Sequence, residues 1–205
     1  MTLDPATQPP LDDLSDLREL LAAYLAAWPA DHEVASRFTA FIDGHPDCLL
    51  RSCAPGHLTG AALVTTPELD RVLLTHHRAL DIWVQLGGHA DGDGQLHRVA
   101  RKEAEEESGL KSLIWLAHPL TMRAGGRPIP FDLDIHAIPA SPRAAAHLHH
   151  DVRFVLVATA AIHEAIVVSE ESHDVRWFTL SEARALTSEA SMHRQFDKLE
   201  VLRGR

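Results

Sequence analysis

The segment Gly88–Leu110 constrains the fold of this chain more than any other part of the sequence. It reads GHADGDGQLHRVARKEAEEESGL, a loop rich in glycine and aspartate followed by a helical stretch from about Gln95 to Ser108. Gly109 is the expected C-cap, because helices commonly end at a glycine in the left-handed conformation. The chain must therefore accommodate a helix with several carboxylates directly after a tight loop.

A helical wheel separates the glutamates of this helix. At about 100° per residue, with Glu103 at zero, Glu107 lies at about +40° and Glu106 at about −60°. The apolar residues of the same arc are Leu96, Val99 and Ala100. The side expected to face water carries Arg98, Arg101, Glu105 and Ser108. Three ionised carboxylates on the core side repel one another and lose hydration. Either a cation that prefers oxygen ligands, Mg²⁺ or Mn²⁺, offsets this charge, or the run is a solvated charged face.

The loop before the helix offers further ligand groups. Gly87 and Gly88 are expected to end a strand, where a backbone without side chains can approach a ligand closely or offer a carbonyl. Asp91 and Asp93 lie near the N-terminus of the helix, and capping the helix is favoured over metal binding for both. The loop is therefore consistent with a ligand site beside the helix.

Charge and composition narrow the partners of the protein. With 29 acidic and 19 basic residues, the net charge of −10 argues against binding to a nucleic-acid polymer, which needs clustered Lys and Arg. A small anion remains compatible if a divalent cation supplies local positive charge. The sequence has no apolar stretch that could span a membrane, and its acidic N-terminus is unlike a secretory signal, so a cytoplasmic protein is expected. Cys48 and Cys53 are then expected to be free thiols.

The chain divides into a short N-terminal part, residues 1–57, and a main domain, residues 58–205. Residues 1–12 are predicted to be a tail, and helices over Leu11–Leu25 and Asp31–Asp43 to form a cap on the domain. These helices also offer a surface on which two copies could form a homodimer. The predicted strands are Ala61–Thr66, Arg71–His76, Asp81–Leu86, Leu113–Thr121, Phe131–Ile138, Val152–Ala160 and Asp174–Phe178. The predicted late helices are Ser181–Leu186, with Ser181 as N-cap, and Ser191–Leu202. This order favours an α/β fold with helices on the faces of a mixed sheet.

The segment Gly88–Leu110 resembles the Nudix box, G-x5-E-x7-R-E-U-x-E-E-x-G-U, where U is a bulky apolar residue. The spacing agrees without a gap, but Gly94, Lys102 and Ala104 stand where the pattern has glutamate, arginine and a bulky apolar residue. The flanking runs LLTHHRALDIWVQLGGHADGDG, FDLDIHAIP and HLHHDVRFVLVA are also similar to bacterial Nudix proteins. The resemblance covers roughly residues 59–178. It implies an α/β/α sandwich around a mixed sheet, with the N-terminal helices as an extension.

The resemblance also implies a reaction. Nudix proteins hydrolyse a nucleoside diphosphate linked to another moiety, with Mg²⁺ bridging the phosphates and the box glutamates. Glu103, Glu106 and Glu107 are then the expected metal ligands, and Glu106 or Glu107 the group that activates water. The Gly88 carbonyl is a candidate further ligand. Lys102 takes the place of the arginine that orients the glutamates, and would orient Glu106 one turn away.

Polar residues outside the box have several possible roles. Because alternate residues of a strand share a face, His149, Asp151 and Arg153 are expected to project together. They could form a second ligand set, a general base or a phosphate clamp, or simply a hydrogen-bonded patch. The same ambiguity applies to Asp132, Asp134 and His136. Arg78 could grip a phosphate or be an exposed surface arginine.

Two alternatives to hydrolysis remain at this stage. A diphosphate isomerase of this fold would need a catalytic cysteine, and both cysteines precede the domain core, which disfavours it. A binding or regulatory module that has lost turnover is the other alternative, motivated by Lys102 and Gly94.

Overall fold

A mixed β-sheet with helices on both faces forms the framework of the molecule. The computed structural model of the chain describes residues 14–78, 80–142, 144–160, 165–170 and 172–204, so the predicted tail, residues 1–12, lies outside the described residues. The strands are β1 Gly56–Thr65, β2 Arg71–His77, β3 Ile82–Val84, β4 Leu86–His89, β5 Leu113–Trp115, β6 Asp132–Ile138, β7 His147–Ala158 and β8 Ser172–Thr179. The helices are α1 Ser15–Ala27, α2 His32–Gly44, α3 Leu96–Ser108, α4 Leu180–Leu186 and α5 Ala190–Leu202. The predicted α/β sandwich with an N-terminal helical extension is confirmed.

Two long strands, β1 and β7, run parallel through the centre of the sheet. All ten residues of β1 are buried, as expected for a strand covered on both faces. β1 also pairs antiparallel with β4 along its first half and with β2 along its second half. β7 pairs antiparallel with β6 and then with β5. The first halves of β1 and β7, together with β4 and β6, therefore meet at one end of the sheet.

Helix α3 lies close against β1 because Gly60 has no side chain. A Cβ atom at Gly60 would lie 2.6 Å from the Leu96 carbonyl oxygen and 3.2 Å from the Ala100 backbone nitrogen. Leu96, Ala100 and Ala104 are fully buried in this contact. The predicted helix and its C-cap are confirmed, since Gly109 has φ 75° and its N–H donates to the Glu105 carbonyl.

The wheel prediction for α3 was wrong in two places. Ser108 was expected to face water but is fully buried, and its hydroxyl donates to the Ala104 carbonyl. The Glu106 side chain, expected inward, is 60% exposed, whereas that of Glu105 is 30% exposed. Ala104 and Ser108 lie at about +100° and +140° on the wheel, so the buried arc is centred near Glu107 and leaves Glu106 at its margin.

The opposite face of the sheet is covered by α5. Leu63 of β1 and Val155 of β7 pack there in one apolar cluster with Phe196 and Leu199. Helix α4 joins the same cluster and begins one residue earlier than predicted. Its N-cap is Thr179, which forms a capping box with Glu182. The predicted N-cap, Ser181, was therefore wrong, because only Thr179 has the glutamate three residues later that the capping box requires.

The N-terminal extension shares its core with the sheet. Leu17, Phe38 and Phe41 belong to the same apolar cluster as Leu58 of β1. The Phe41 ring stacks on the His150 ring of β7 at 3.7 Å between centroids. The two predicted helices are confirmed, each with slightly shifted ends. They cap the sheet and do not form a separate core.

A buried lysine of α5, Lys198, also holds the extension. Its ammonium group donates to the Asp31 carboxylate at 2.6 Å and to the Tyr24 hydroxyl at 2.9 Å. On the domain side it donates to Asp132 at 2.8 Å and to the Phe131 carbonyl at 3.1 Å. One side chain therefore connects the helical extension to the sheet.

Four predicted strands differ clearly from the observed ones, and the first of them, predicted to begin at Ala61, begins at Gly56. The single strand Asp81–Leu86 is two strands, because the chain leaves β2 after Val84 and pairs with β1 from Leu86. The strand from Leu113 stops at Trp115, since Pro119 has no N–H and the Thr121 N–H donates to His118 in a turn. β7 begins at His147, where pairing with β6 starts.

Among the helices that the structure describes, none has the length and apolar character that a membrane span requires.

Candidate metal and substrate site

Helix α3 and strand β4 meet at Gly88 and Glu103. Gly88 lies in the middle of β4, opposite Gly60 of β1. A Cβ atom at Gly88 would lie 2.4 Å from Glu103 Cδ and 2.6 Å from Glu103 Oε2. The missing side chain therefore lets the Glu103 carboxylate rest on the strand backbone. Sequence reasoning selected both residues, and the structure brings them into contact.

The three box glutamates differ in their exposure to solvent. The Glu103 side chain is 21% exposed, Glu107 Oε2 is fully buried, and Glu106 extends furthest into solvent. Exposure to solvent therefore differs strongly along the helix, and Glu106 is the carboxylate most accessible to water.

Lys102 lies beside two of these glutamates. Its Nζ is 3.4 Å from Glu103 Oε1 and 3.4 Å from Glu106 Oε2. The negative charge of Glu103 raises the pKa of Lys102 above its usual value. The lysine is 63% exposed, so each contact is a weak, solvent-screened ion pair. The contact with Glu106 agrees with the orienting role expected for Lys102.

The donor atoms of the α3 site fit a hard divalent cation. Carboxylate oxygens and a backbone carbonyl are the ligands that Mg²⁺ and Mn²⁺ prefer, and partial exposure leaves space for water ligands.

The aspartates of the loop before α3 have other partners. Asp93 accepts the Gln95 N–H at 2.8 Å at the start of α3, and Asp91 binds the Arg51 guanidinium through both carboxylate oxygens. The hydrogen bond from Arg51 lowers the pKa of Asp91.

A second polar group occupies the face of the sheet opposite α3. Arg153 is 3% exposed and donates to Asp151 at 2.7 Å, to Asp132 at 3.2 Å and to Asp134 at 3.1 Å. Asp151 also accepts the Thr59 hydroxyl. Asp151 and Arg153 project together, as expected from their alternation. Their partners are those of a buried ion network, and their predicted contact with substrate remains a prediction.

His149 lies at the end of this face among other histidines. One ring nitrogen each of His57, His89 and His149 lies within 4.8 Å of the others. Nε2 of His147 is 3.3 Å from Nε2 of His149, and the His136 ring centroid is 5.4 Å away from that of His149. Burial, followed by the neighbouring histidines, lowers the pKa of His57 to about 4 and that of His149 to about 2. These two imidazoles are therefore neutral at pH 7.

Sequence reasoning did not select His57 or His89. The three histidines are far apart in the chain and lie on β1, β4 and β7. The register of the sheet aligns His57 with His149 and places His89 opposite Thr59. All three histidines lie in the strands of one sheet, which is the only signal that they share in the sequence. Grouping them required the strand order and register, which no local pattern supplies.

The remaining candidates have structural partners. Arg78 donates to the backbone carbonyls of Glu170, just before β8, and of Ser172, the first residue of β8. Its role as a phosphate ligand remains a prediction. Cys48 and Cys53 are buried free thiols, as expected. Burial raises the pKa of Cys48 to about 12 and that of Cys53 to about 11. A thiol with a raised pKa is a poor nucleophile, which further disfavours the isomerase alternative.

Comparisons with known proteins agree with this arrangement. The family model described as NUDIX domain matches residues 56–199. Among solved structures, the chain is similar to an Ap4A hydrolase from C. elegans in a binary complex, with TM-score 0.53, 14% identity, 70% of this chain and 95% of that chain. It is also similar to a NUDIX-family hydrolase from Clostridium perfringens, with TM-score 0.51, 19% identity, 71% of this chain and 97% of that chain. No curated protein sequence is significantly similar to the chain.

Proposed function

The chain belongs to the Nudix family of hydrolases, and from this premise we propose that it is a magnesium-dependent hydrolase of a diphosphate linkage in a nucleoside diphosphate derivative. The contact between Gly88 and the Glu103 carboxylate carries the proposal, because it brings the box glycine and a box glutamate together at a strand backbone. Mn²⁺ is the expected substitute for Mg²⁺, since both prefer carboxylate and water ligands.

In this proposal Glu103, Glu106 and Glu107 hold the cation, with the Gly88 carbonyl as a candidate further ligand. When bound, Mg²⁺ neutralises charge on the diphosphate and lowers the pKa of a coordinated water. Lys102 keeps Glu103 and Glu106 in position through its two contacts at 3.4 Å. Because the net charge of the protein is −10, an anionic substrate also depends on the cation for attraction to the site.

The proton of the attacking water is assigned to Glu106 or Glu107. As the water oxygen forms its bond to phosphorus, the bond from phosphorus to the bridging oxygen breaks and a carboxylate accepts the proton. The two carboxylates differ in solvent access, since Glu107 Oε2 is buried whereas the Glu106 side chain is 60% exposed. Comparing the pH–rate profiles of Glu106→Gln and Glu107→Gln will separate the two, since loss of the base removes the acidic limb of the profile.

A substrate panel in Mg²⁺ tests the proposed reaction. The panel contains Ap4A, because the C. elegans neighbour is an Ap4A hydrolase, together with nucleoside diphosphate sugars and nucleoside triphosphates. We expect product release with at least one compound. In Glu107→Gln we expect the rate to fall by about 10²–10⁴-fold, because Glu107 is a proposed metal ligand and one of the two candidate bases. Glu105→Gln is the matched control, since Glu105 lies on the same helix and pairs with Arg101. Equal rates in wild type and Glu107→Gln would contradict the assignment.

Two further expectations accompany this proposal. The first is a cytoplasmic location, and the second is a homodimer formed through the N-terminal helices. Light scattering of the purified chain tests the homodimer directly, and a monomer at micromolar concentration would exclude it under those conditions.

A further inference from the structure

We propose that His57, His89 and His149 form a second metal site, specific for a first-row transition metal such as Zn²⁺, on the opposite face of the sheet from the carboxylates of α3. The one nitrogen that each imidazole offers lies within 4.8 Å of the other two. Coordination to Zn²⁺ at about 2.0–2.1 Å requires ligand nitrogens about 3.4 Å apart, so small ring movements are sufficient.

The His57 side chain supplies an independent observation. It is 3% exposed, and neither Nδ1 nor Nε2 has a hydrogen-bond partner among the residues that the structure describes. A buried polar nitrogen without a partner costs free energy, and most such groups in native proteins have one. The rings around it are those of His89, His147 and His149, at centroid distances of 5.1, 4.9 and 4.8 Å. A metal ion between these rings would give one of the two His57 nitrogens a partner.

The chemistry of the three ligands selects the class of metal. Neutral imidazole suits Zn²⁺, Cu²⁺, Ni²⁺ and Fe²⁺, whereas Mg²⁺ prefers oxygen. Each ligand comes from a different strand, β1, β4 or β7, so the ring positions are fixed by the sheet and not by a mobile loop. His147, with Nε2 at 3.3 Å from His149 Nε2, is adjacent and can supply a fourth ligand.

Carboxylates lie next to the cluster, although none in the described part of the chain forms a hydrogen bond with His57. Next to the cluster, His136 Nδ1 is 3.1 Å from Asp134 Oδ2, and Asp134 also accepts from Arg153. The proposed site therefore lies at the end of the buried ion network. The Asp134 carboxylate is near the cluster but is not one of the proposed ligands. It is independent of the hydrolytic proposal, because its ligands are not the box glutamates.

Cobalt absorption is the direct test of the triad. The metal-free full-length chain is titrated with Co²⁺, which gives intense visible bands in a four-coordinate nitrogen site and weak ones when six oxygens surround it. We expect one equivalent of Co²⁺ to give the intense bands, Zn²⁺ to displace it, and the bands to persist in Glu103→Gln/Glu107→Gln. In His89→Gln and His149→Gln we expect Zn²⁺ affinity to fall more than about 100-fold, since even outer partners of a ligand contribute 10–100-fold.

A matched control and a second measurement keep the test decisive. His97→Gln changes a histidine of similar burial on α3, outside the cluster, and should retain wild-type Zn²⁺ affinity. X-ray absorption of the Zn²⁺-loaded wild type needs no variant and should give nitrogen ligands at about 2.0–2.1 Å. The proposal is overturned by oxygen-only ligation, by weak Co²⁺ bands, by unchanged affinity in His89→Gln and His149→Gln, or by loss of the bands in the carboxylate double variant.

Discussion

The two proposed sets of ligand side chains lie on opposite sides of the sheet, the glutamates on α3 and the histidines on the strands. They differ in charge and in burial. On α3, three glutamates and Lys102 lie on a partly exposed helix, and we propose that a cation offsets the repulsion between the carboxylates. On the other face, His57 is buried and His149 half-buried, and both imidazoles are neutral at pH 7. The comparison teaches that the two faces of one sheet offer different donor atoms, carboxylate oxygens on one and imidazole nitrogens on the other, which suit different metals.

Removing a carboxylate should separate the two sites most strongly. In Glu103→Gln we expect hydrolysis to fall at least about 100-fold, because a bound metal contributes several kcal/mol of transition-state stabilisation. Steady-state rates at saturating Mg²⁺ measure this effect, and Co²⁺ absorption by the histidines should be unchanged. A parallel loss of both signals would show that the two faces act as one site.

A methyl group at Gly88 tests whether strand β4 sets the position of the carboxylates. In Gly88→Ala the new Cβ would overlap the Glu103 carboxylate, which must rotate away. We expect the hydrolytic rate to fall by about 10²-fold, the cost of misplacing a catalytic group by about 1 Å. The overlap is with the end of a flexible side chain, so the unfolding free energy should change little in urea titrations. A large loss of stability with normal activity would refute this explanation.

Acid stability sharpens the contrast through His150, which follows His149 in β7 but lies on the other face of the sheet, against Phe41 of α2, and belongs to neither proposed metal site. Burial, followed by the charge of Arg37, lowers the pKa of His150 to about 4 in the folded protein. The unfolded chain has the ordinary value near 6.5, so it binds more protons and stability falls as pH drops from about 6.5 towards 4. The loss from this group is at most about 3 kcal/mol.

The variant His150→Phe isolates that contribution. Phenylalanine keeps the ring stack on Phe41 but cannot be protonated. Denaturant titrations at pH 7 and pH 5 should give a smaller difference in unfolding free energy for the variant than for wild type. The same difference in both proteins would exclude His150 as a source of acid sensitivity.

The smallest expected effect concerns Lys102. In Lys102→Arg a planar guanidinium can bind Glu103 and Glu106 with two parallel hydrogen bonds, whereas the ammonium acts as a point charge. Exposed ion pairs contribute only about 0–1 kcal/mol, so the hydrolytic rate should rise by no more than about fivefold. Lys102→Met, which removes the charge at similar length, should lower the rate. A fall in Lys102→Arg would mean that the site is adapted to the lysine.

The sequence allowed prediction of those features that depend on neighbours along the chain. The carboxylate helix and its glycine cap belong to one short motif, which also contains Gly88, but the contact of Gly88 with Glu103 emerged only from the structure. The inward position of Glu106 was wrong because the buried arc of α3 extends through Ala104 to Ser108, which leaves Glu106 at its margin. The histidine cluster depends entirely on strand register, which local periodicity cannot supply.

The lysine that joins the extension to the sheet bears on how the chain unfolds. If α1 and α2 separated from the sheet, Lys198 would lose Asp31 and the Tyr24 hydroxyl while remaining close to Asp132. The same step would expose the ring of His150 and the apolar residues under α2. Separating α1 and α2 from the sheet would therefore cost free energy both at Lys198 and at the stack of Phe41 on His150. The extension and the sheet should melt together in a single cooperative transition, and the helices are part of the folding unit that keeps both ligand sets in place.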